Sequence, residues 1–260
     1  MKEILMQVQD LSYRYEDQTL ALDKINLEIY RHQRLAIMGS NGSGKSTLFL
    51  NLNGVYKPTS GQILYEGKPL DYSRKGLLSL RKKVGIVFQE PDNQLFCASV
   101  LGEISFGPFN LGLDETTVRN RVTQICDTGG QKKRVSIADI LVMEPELLIL
   151  DEPFSALDPK HAHMIDDILK QLTDSGITVI IATHHADQAY RWADRIVVLN
   201  HSHVLADGTP QEIFSNKELL VAANLEQPTL MKVSDILKRK GILSECDFPK
   251  TAEELEMLLK

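Results

Sequence analysis

Long apolar runs are absent from this chain of 260 residues. The longest candidates, such as residues 147–150 and 179–182, have the length of a strand, whereas a membrane-spanning helix needs roughly 18 apolar residues. The first seven residues hold no long apolar stretch either, which predicts that no signal peptide is present. Any work at a membrane is therefore expected to need a partner protein.

Cysteine and positive charge are also scarce. The three cysteines, Cys97, Cys126 and Cys246, are odd in number and far apart, which argues against a disulfide framework or a zinc motif and fits a reducing cytosol. Acidic residues outnumber basic ones by 35 to 29, so the formal charge is −6. Because nucleic acids are polyanions, we expect no nucleic-acid partner.

The apolar residues that are present follow an alternating order of strands and helices. Period-two patterns predict β structure over residues 5–11, 20–29 and 61–88. Later strands are predicted at residues 34–38, 147–150, 177–182 and 195–199. Helices are predicted at residues 46–53 and 115–126, after an Asp158 N-cap, and through the tail, where Thr251 and Glu254 form a capping box. This order predicts an α/β fold with a mostly parallel sheet.

A glycine-rich loop follows the strand predicted at residues 34–38. It matches G-x-x-x-x-G-K-[ST] between a strand and a helix, which is the context that a phosphate-binding loop requires. The glycines allow backbone N–H groups to line an anion-sized hollow, Lys45 can neutralise phosphate charge, and Ser46 can ligate Mg²⁺. The predicted ATP-binding residues here are Gly39, Ser40, Asn41, Gly42, Ser43, Gly44, Lys45, Ser46 and Thr47.

Two carboxylates, Asp151 and Glu152, end the apolar strand at residues 147–150. Ligands of open α/β sheets bind at the carboxyl ends of strands, so both are expected to lie near the phosphate loop. Asp151 is predicted to complete the Mg²⁺ site with Ser46, and Glu152 to act as general base toward an attacking water.

Several further motifs occur in a specific order around these two sites. Gln89 ends a predicted strand, Gly129-Gly130-Gln131 precede the acidic strand, Asp158 follows it, and His184 ends the next strand. Together with the phosphate loop, they resemble the ATP-binding cassette (ABC) ATPases over nearly the whole chain. The resemblance implies a P-loop NTPase fold with an N-terminal antiparallel β subdomain, a helical signature subdomain at about 90–143 within an ATPase domain at 1–208, and a helical C-terminal extension at 209–260.

The resemblance also implies roles for these residues. Gln89 matches the glutamine that senses Mg²⁺ and water, and His184 matches the switch histidine that contacts the γ-phosphate, so both join Glu152 as catalytic candidates. Tyr15 matches the aromatic residue that stacks on adenine, with Tyr13 as a weaker candidate. Gly129, Gly130 and Gln131 match the signature loop that reaches the nucleotide of a second ATPase subunit, and Asp158 matches the aspartate at that interface.

A narrower resemblance rests on residues 71–77, 89–96 and 104–108 and on the tail from Gly208 to Phe214. These segments are similar to ATPases of energy-coupling-factor importers, most of all the cobalt type. That similarity implies a peripheral ATPase on the cytoplasmic face of the membrane. Its implied partners are a second ATPase subunit, a membrane coupling subunit that docks at about 90–113, and a substrate-capturing membrane protein, with cobalt, nickel or a vitamin as cargo.

One departure from the family pattern lies directly before Gly129. The family places a helix exit, a loop and Leu-Ser there, whereas Asp127-Thr128 follow the predicted helix at once, so about fifteen residues are lacking relative to that pattern. Either the sequence at hand omits a segment of the protein, which we favour because the other motifs are intact, or the deletion is genuine. An intact mass of 29.2 kDa would argue for the deletion, which predicts weak dimer closure and poor hydrolysis with ATP binding retained.

Two other functions remain alternatives at this point. A soluble ABC ATPase that acts on nucleic acid or ribosomes is disfavoured by the acidic charge and by the lack of a long linker insert. A subunit that binds ATP without hydrolysing it would require the deletion to be genuine.

Overall fold

A computed structural model describes residues 3–90, 94–95, 97, 99–110, 113–118, 122, 132–155, 157–244 and 248–259. The strands are β1 (Ile4–Arg14), β2 (Leu20–Tyr30), β3 (Arg34–Met38), β4 (Ser60–Tyr65), β5 (Lys68–Pro69), β6 (Val84–Val87), β7 (Leu147–Asp151), β8 (Thr178–Thr183), β9 (Arg195–Asn200) and β10 (His203–Gly208). The helices are α1 (Lys45–Leu52), α2 (Arg74–Lys83), α3 (Val100–Asn110), α4 (Lys132–Leu141), α5 (Pro159–Asp174), α6 (Ala186–Trp192), α7 (Pro210–Ser215), α8 (Lys217–Ala223), α9 (Thr229–Arg239) and α10 (Ala252–Leu258). Among the helices of these ranges, none has both the length and the apolar character that crossing a bilayer requires.

The strands form two sheets. The first has the order β2-β1-β4-β5 and is antiparallel, and the second has the order β10-β9-β3-β8-β7-β6. In the second sheet, all neighbours from β9 to β6 are parallel, and β10 pairs with β9 as an antiparallel edge strand. The predicted α/β class, with an antiparallel β subdomain at the N-terminus, is confirmed.

The parallel sheet is buried on both faces, which explains its continuous apolar runs. Alternate residues of each strand point to opposite sides. In β7, Leu147 and Ile149 join the cluster that packs against the antiparallel sheet and α1, whereas Leu148 and Leu150 join a cluster with residues of α5, α6 and the tail helices. The sheet is thus packed between two hydrophobic cores, which hold the ends of its strands in place.

The alternation over residues 61–88 was only partly a strand signal. β4 and β5 are short, and α2 occupies Arg74–Lys83, so the prediction of continuous β structure there is wrong. The Ser73 hydroxyl accepts a hydrogen bond from the Gly76 backbone N–H at 3.1 Å and caps α2. Leu77 and Leu80, three residues apart on this helix, both lie against Gly54 at the end of α1. Their spacing of three residues is typical of a helix. It was not recognised from the sequence because their shared partner, Gly54, is distant along the chain.

Other local predictions agree closely with the structure. The later strands match to within one or two residues, and the Asp158 side chain caps α5 by accepting from the His161 N–H at 2.9 Å. Thr251 caps α10, but the Glu254 carboxylate accepts from the Lys250 N–H at 2.6 Å instead of closing the predicted capping box. Most of the helix predicted at 115–126 lies outside the described residues. Within that range, the described residues 115–118 and 122 are helical.

A group of charged side chains joins the two sheets at the end opposite the phosphate loop. Arg31, which follows β2, donates to Glu146, which precedes β7, at 2.8 Å, and Lys83 at the end of α2 lies 2.9 Å from the same carboxylate. Arg31 also pairs with Glu3 and Glu66. Partial burial alone would raise the pKa of Glu146, but hydrogen bonds from Arg31 and Lys83 outweigh it and lower the pKa to about 2.

We predict that Glu146 makes a pH-dependent contribution to stability. Because its folded-state pKa lies below its unfolded-state pKa, this contribution is present above pH 4.5 and is lost as the pH falls toward 2. The side chain is about one-third exposed, so solvent screening weakens the effect. Between pH 5 and pH 3, Tm of the wild-type protein should fall about 2–4 °C further than that of Glu146→Gln. Exposed Glu16→Gln is the control, and equal losses in wild type and Glu146→Gln would contradict the prediction.

Candidate functional site

The glycine-rich loop connects β3 to α1 as predicted. Gly44 adopts a left-handed φ of 107°, and a Cβ there would lie 2.6 Å from the Ala21 carbonyl oxygen. A Cβ at Gly39 would lie 2.2 Å from the Leu199 carbonyl oxygen. At these two positions the loop passes too close to β2 and β9 for any side chain. The loop therefore presents its backbone to the cleft.

The Lys45 ammonium group is buried within this loop. Its Nζ donates to the carbonyl oxygens of Gly39 at 2.8 Å and Ser40 at 3.0 Å. Burial lowers the pKa of Lys45, and the charges of Glu152 and Asp151 oppose that shift. The cation is thus held over the hollow of the loop, where phosphate oxygens would be its natural partners.

Ser46 and Asp151 meet across the floor of the cleft. The Ser46 hydroxyl donates to Asp151 Oδ2 at 2.6 Å, and Asp151 lies at the carboxyl end of β7. Hydroxyl and carboxylate oxygens are the donors that Mg²⁺ prefers, so this pair fits the predicted metal. Within the described ranges, no cluster of three or more His, Cys, Asp or Glu side chains could hold a metal. Any Mg²⁺ here would depend on phosphate, water or other polar side chains of the cleft, such as Gln89, for its remaining ligands.

Glu152 follows Asp151 and is 6% exposed. Its carboxylate lies 2.8 Å from Nδ1 of His184, which follows β8 and is half-exposed. Its backbone N–H donates to the Ala182 oxygen, and its φ of 48° is in the left-handed region, which is uncommon for a glutamate. Strain of this kind concentrates at functional sites, and Glu152 lines the cleft.

A cleft of about 500 Å³ gathers most of the predicted residues. It is lined by Tyr15, Thr19, Leu20, Ala21, Asn41, Gly42, Gly44, Lys45, Ser46, Thr47, Gln89, Asp151 and Glu152. Tyr15 is 37% exposed, and its hydroxyl is 2.6 Å from the Thr47 hydroxyl. A base, phosphates and catalytic side chains can therefore share one continuous cleft.

Among the described residues, the predicted residues that do not line the cleft are Gly39, Ser40, Ser43, Asp158 and His184. His184 lines a neighbouring hollow instead. Asp158 caps α5 and lies 2.7 Å from Nδ1 of His161. Gly129, Gly130 and Gln131 lie outside the described residues. Tyr13, the weaker candidate for base stacking, packs against the hydrophobic core instead of lining the cleft.

Sequence patterns did not reveal that Thr19 and the first residues of β2 line the cleft. Thr19, Leu20 and Ala21 reach it because the start of β2 runs beside the phosphate loop, where the Ala21 carbonyl oxygen lies close to Gly44. The only available signal was the strand pattern itself, which does not specify which neighbour the strand will have.

Comparison with known proteins identifies the family. The family model described as "ABC transporter" matches residues 22–155. The chain is 45% identical to the energy-coupling factor transporter ATP-binding protein EcfA2 of Clostridium perfringens, over 92% of this chain and 90% of that protein. A Methanosarcina mazei ABC transporter ATP-binding protein is 42% identical over 99% of this chain, and the chain spans 60% of that relative's length. The solved structure of CbiO1 from Clostridium perfringens, part of the ABC transporter complex CbiONQ, superimposes with a TM-score of 0.76, 43% identity and coverage of 91% of this chain and 100% of that one.

The same comparisons bear on the segment before Gly129. The alignment with the M. mazei protein spans 272 positions, at least twelve more than the 260 residues of this chain can fill. The relative therefore has additional residues within the matched span, in keeping with the fifteen or so expected from the family pattern. Their location before Gly129 stays a prediction. Family model, relatives and solved structure agree on the family, and the chain therefore belongs to the ABC transporter family as an ATPase of the energy-coupling-factor type.

Proposed function

We propose that ATP hydrolysis in the cleft powers the import of a divalent transition metal ion, with cobalt as the best candidate, through a membrane partner. The observation that carries this proposal is the convergence of Lys45, the Ser46–Asp151 pair and Glu152 on one cleft, with His184 in contact with the Glu152 carboxylate. The cobalt assignment is supported by the similarity to CbiO1 of the CbiONQ complex.

In this proposal each side chain has a distinct task. Lys45 neutralises charge on the β- and γ-phosphates, and Thr47 and the loop N–H groups hold the remaining phosphate oxygens. Ser46, Asp151 and Gln89 would hold Mg²⁺, which neutralises developing phosphate charge when bound. Glu152 orients the attacking water and accepts its proton, and His184 contacts the γ-phosphate from the side of β8.

We propose that the second nucleotide contact comes from another ATPase subunit. Gly129, Gly130 and Gln131 would reach the nucleotide of that subunit, and Asp158 would lie at the interface. Bound ATP would hold the two ATPase subunits together. Hydrolysis would remove that contact, so the subunits would separate as rigid bodies. The interface is inferred from the family resemblance.

The ATPase domain is proposed to span 1–208, with a helical extension at 209–260. In that extension, Thr229 at the start of α9 donates its N–H to Asp187 of α6 at 2.6 Å and its hydroxyl at 3.1 Å. Because α6 begins two residues after His184, the extension braces the helix that follows the switch histidine.

Exposed apolar side chains on α3 support docking to a membrane subunit on the cytoplasmic face of the bilayer. Leu101 and Phe109 are 62% and 50% exposed, and Val100 and Phe106 are also exposed. Exposed apolar residues grouped on one helix are a common mark of a protein interface. They lie within the segment at about 90–113 that the family resemblance assigns to the coupling subunit.

The double variant Leu101→Asp/Phe109→Asp tests this function directly. We expect it to lose both its attachment to membranes and the uptake of radioactive cobalt, because two charges would be buried against an apolar partner surface. ATP binding should be unchanged, since neither residue lines the cleft. Val221→Asp is the matched control, because Val221 is an apolar residue that is 83% exposed on a different helix, α8.

The outcomes separate the parts of the proposal. Attachment and uptake that both survive the double variant would contradict docking through α3. Loss of attachment with unchanged cobalt uptake would show that the cargo is not cobalt.

A further inference from the structure

Three tyrosine rings form a cluster beside the cleft, and one of them is the proposed base-stacking residue Tyr15. The Tyr13 and Tyr56 rings stack with centroids 4.7 Å apart and planes at 10° to each other. Tyr15 lies perpendicular to both, with its centroid 5.3 Å from that of Tyr13 and 6.1 Å from that of Tyr56. Edge-to-face contacts at these distances are favourable and specific in orientation.

The two supporting rings belong to elements that the fold holds in place. Tyr13 lies in β1, where it pairs with Leu22 of β2 and packs against the hydrophobic core. Tyr56 follows α1, and its N–H donates to the Leu50 carbonyl oxygen at 3.0 Å. The stack therefore connects β1 to the C-terminal end of α1, the helix that follows the phosphate loop.

Tyr15, in contrast, lies one residue beyond the end of β1 in a short turn. Its backbone N–H donates to the Thr19 carbonyl oxygen at 3.0 Å. Its hydroxyl meets Thr47, which directly follows Ser46 in the phosphate loop. Without the two rings, rotation of the exposed Tyr15 side chain would be restrained mainly by that one hydroxyl contact.

We propose that Tyr13 and Tyr56 are positioning residues that hold the Tyr15 ring at the orientation required to stack on a nucleobase. They thereby set how much of the affinity for ATP comes from the base and how much from the triphosphate. This inference rests on the proposed function, in which Tyr15 contacts the base. Neither supporting ring lines the cleft, so neither needs to touch the ligand.

Binding of ATP and of inorganic triphosphate by the same protein samples tests the proposal. Tyr56→Leu keeps apolar bulk but removes the ring, and we expect its Kd for ATP to rise about 3- to 10-fold, in line with aromatic pair energies. Its Kd for inorganic triphosphate should stay within twofold of the wild-type value, because the phosphate loop is untouched. Tyr56→Phe keeps the ring and should restore the wild-type ratio of the two constants.

Tyr15→Ala separates this inference from the site assignment on which it rests. If Tyr15→Ala raises the Kd for ATP alone while Tyr56→Leu leaves both constants unchanged, base stacking stands and the positioning role is wrong. Parallel loss of ATP and triphosphate binding in Tyr56→Leu would also overturn the positioning role, since the ring would then merely support the phosphate loop. If Tyr15→Ala changes neither constant, the base site itself is misassigned.

Discussion

Glu152→Gln is expected to reduce ATP turnover by the assembled transporter at least about 100-fold while ATP remains bound. The glutamine has nearly the same shape but cannot accept a proton, and loss of general-base catalysis typically costs 10²- to 10⁴-fold. Glu152 is almost fully buried and lies 2.8 Å from Nδ1 of His184, so bulk water cannot readily substitute for its carboxylate. Phosphate release and retained nucleotide should be measured on the same preparation.

The matched control for this experiment is Glu218→Gln. Glu218 is an exposed glutamate on α8, so the same chemical change there should leave turnover unaltered. If Glu152→Gln turned over ATP at the wild-type rate in the assembled complex, the general-base assignment would fail. If turnover and ATP binding fell together, Glu152 would be needed for binding and not for the chemical step.

Lys45→Ala is expected to weaken ATP binding about 100-fold. Lys45 is 6% exposed, and its ammonium group is held by the Gly39 and Ser40 carbonyl oxygens over the hollow of the loop. Removing one partner of a buried charge pair costs roughly 2–5 kcal/mol, and each 1.4 kcal/mol is tenfold in Kd. Titration with a fluorescent ATP analogue measures the change.

Lys68→Ala is the control for this second experiment, because Lys68 is exposed on the short strand β5. Thermal unfolding should be recorded for both variants, since Lys45→Ala also leaves two loop carbonyl oxygens without their donor. Unchanged ATP affinity in a folded Lys45→Ala protein would remove the phosphate loop from the binding site.

The parts of the molecule that sequence predicted well are those governed by local rules. The phosphate loop, the Asp158 cap and the buried strands β7 and β8 each depend on residues a few positions apart. The convergence of Ser46 and Asp151 could also be predicted, because both follow strands of one parallel sheet and such strands end at the same edge.

The parts that sequence did not predict depend on contacts between distant segments. The apolar face of α2 is evident only from the packing of Leu77 and Leu80 against Gly54. The cleft wall at Thr19–Ala21 likewise depends on β2 lying beside the phosphate loop. Tyr56 lies more than forty residues from Tyr15 along the chain, so no spacing rule connects them. Periodicity reports which face of an element is buried and does not report what buries it.

Whether this chain hydrolyses ATP is decided by phosphate release from the transporter assembled with it. We expect Mg²⁺-dependent release that falls to background when Glu152→Gln replaces the wild-type chain. Bound ATP with no release above that of Glu152→Gln would identify the chain instead as a subunit that binds ATP without hydrolysing it.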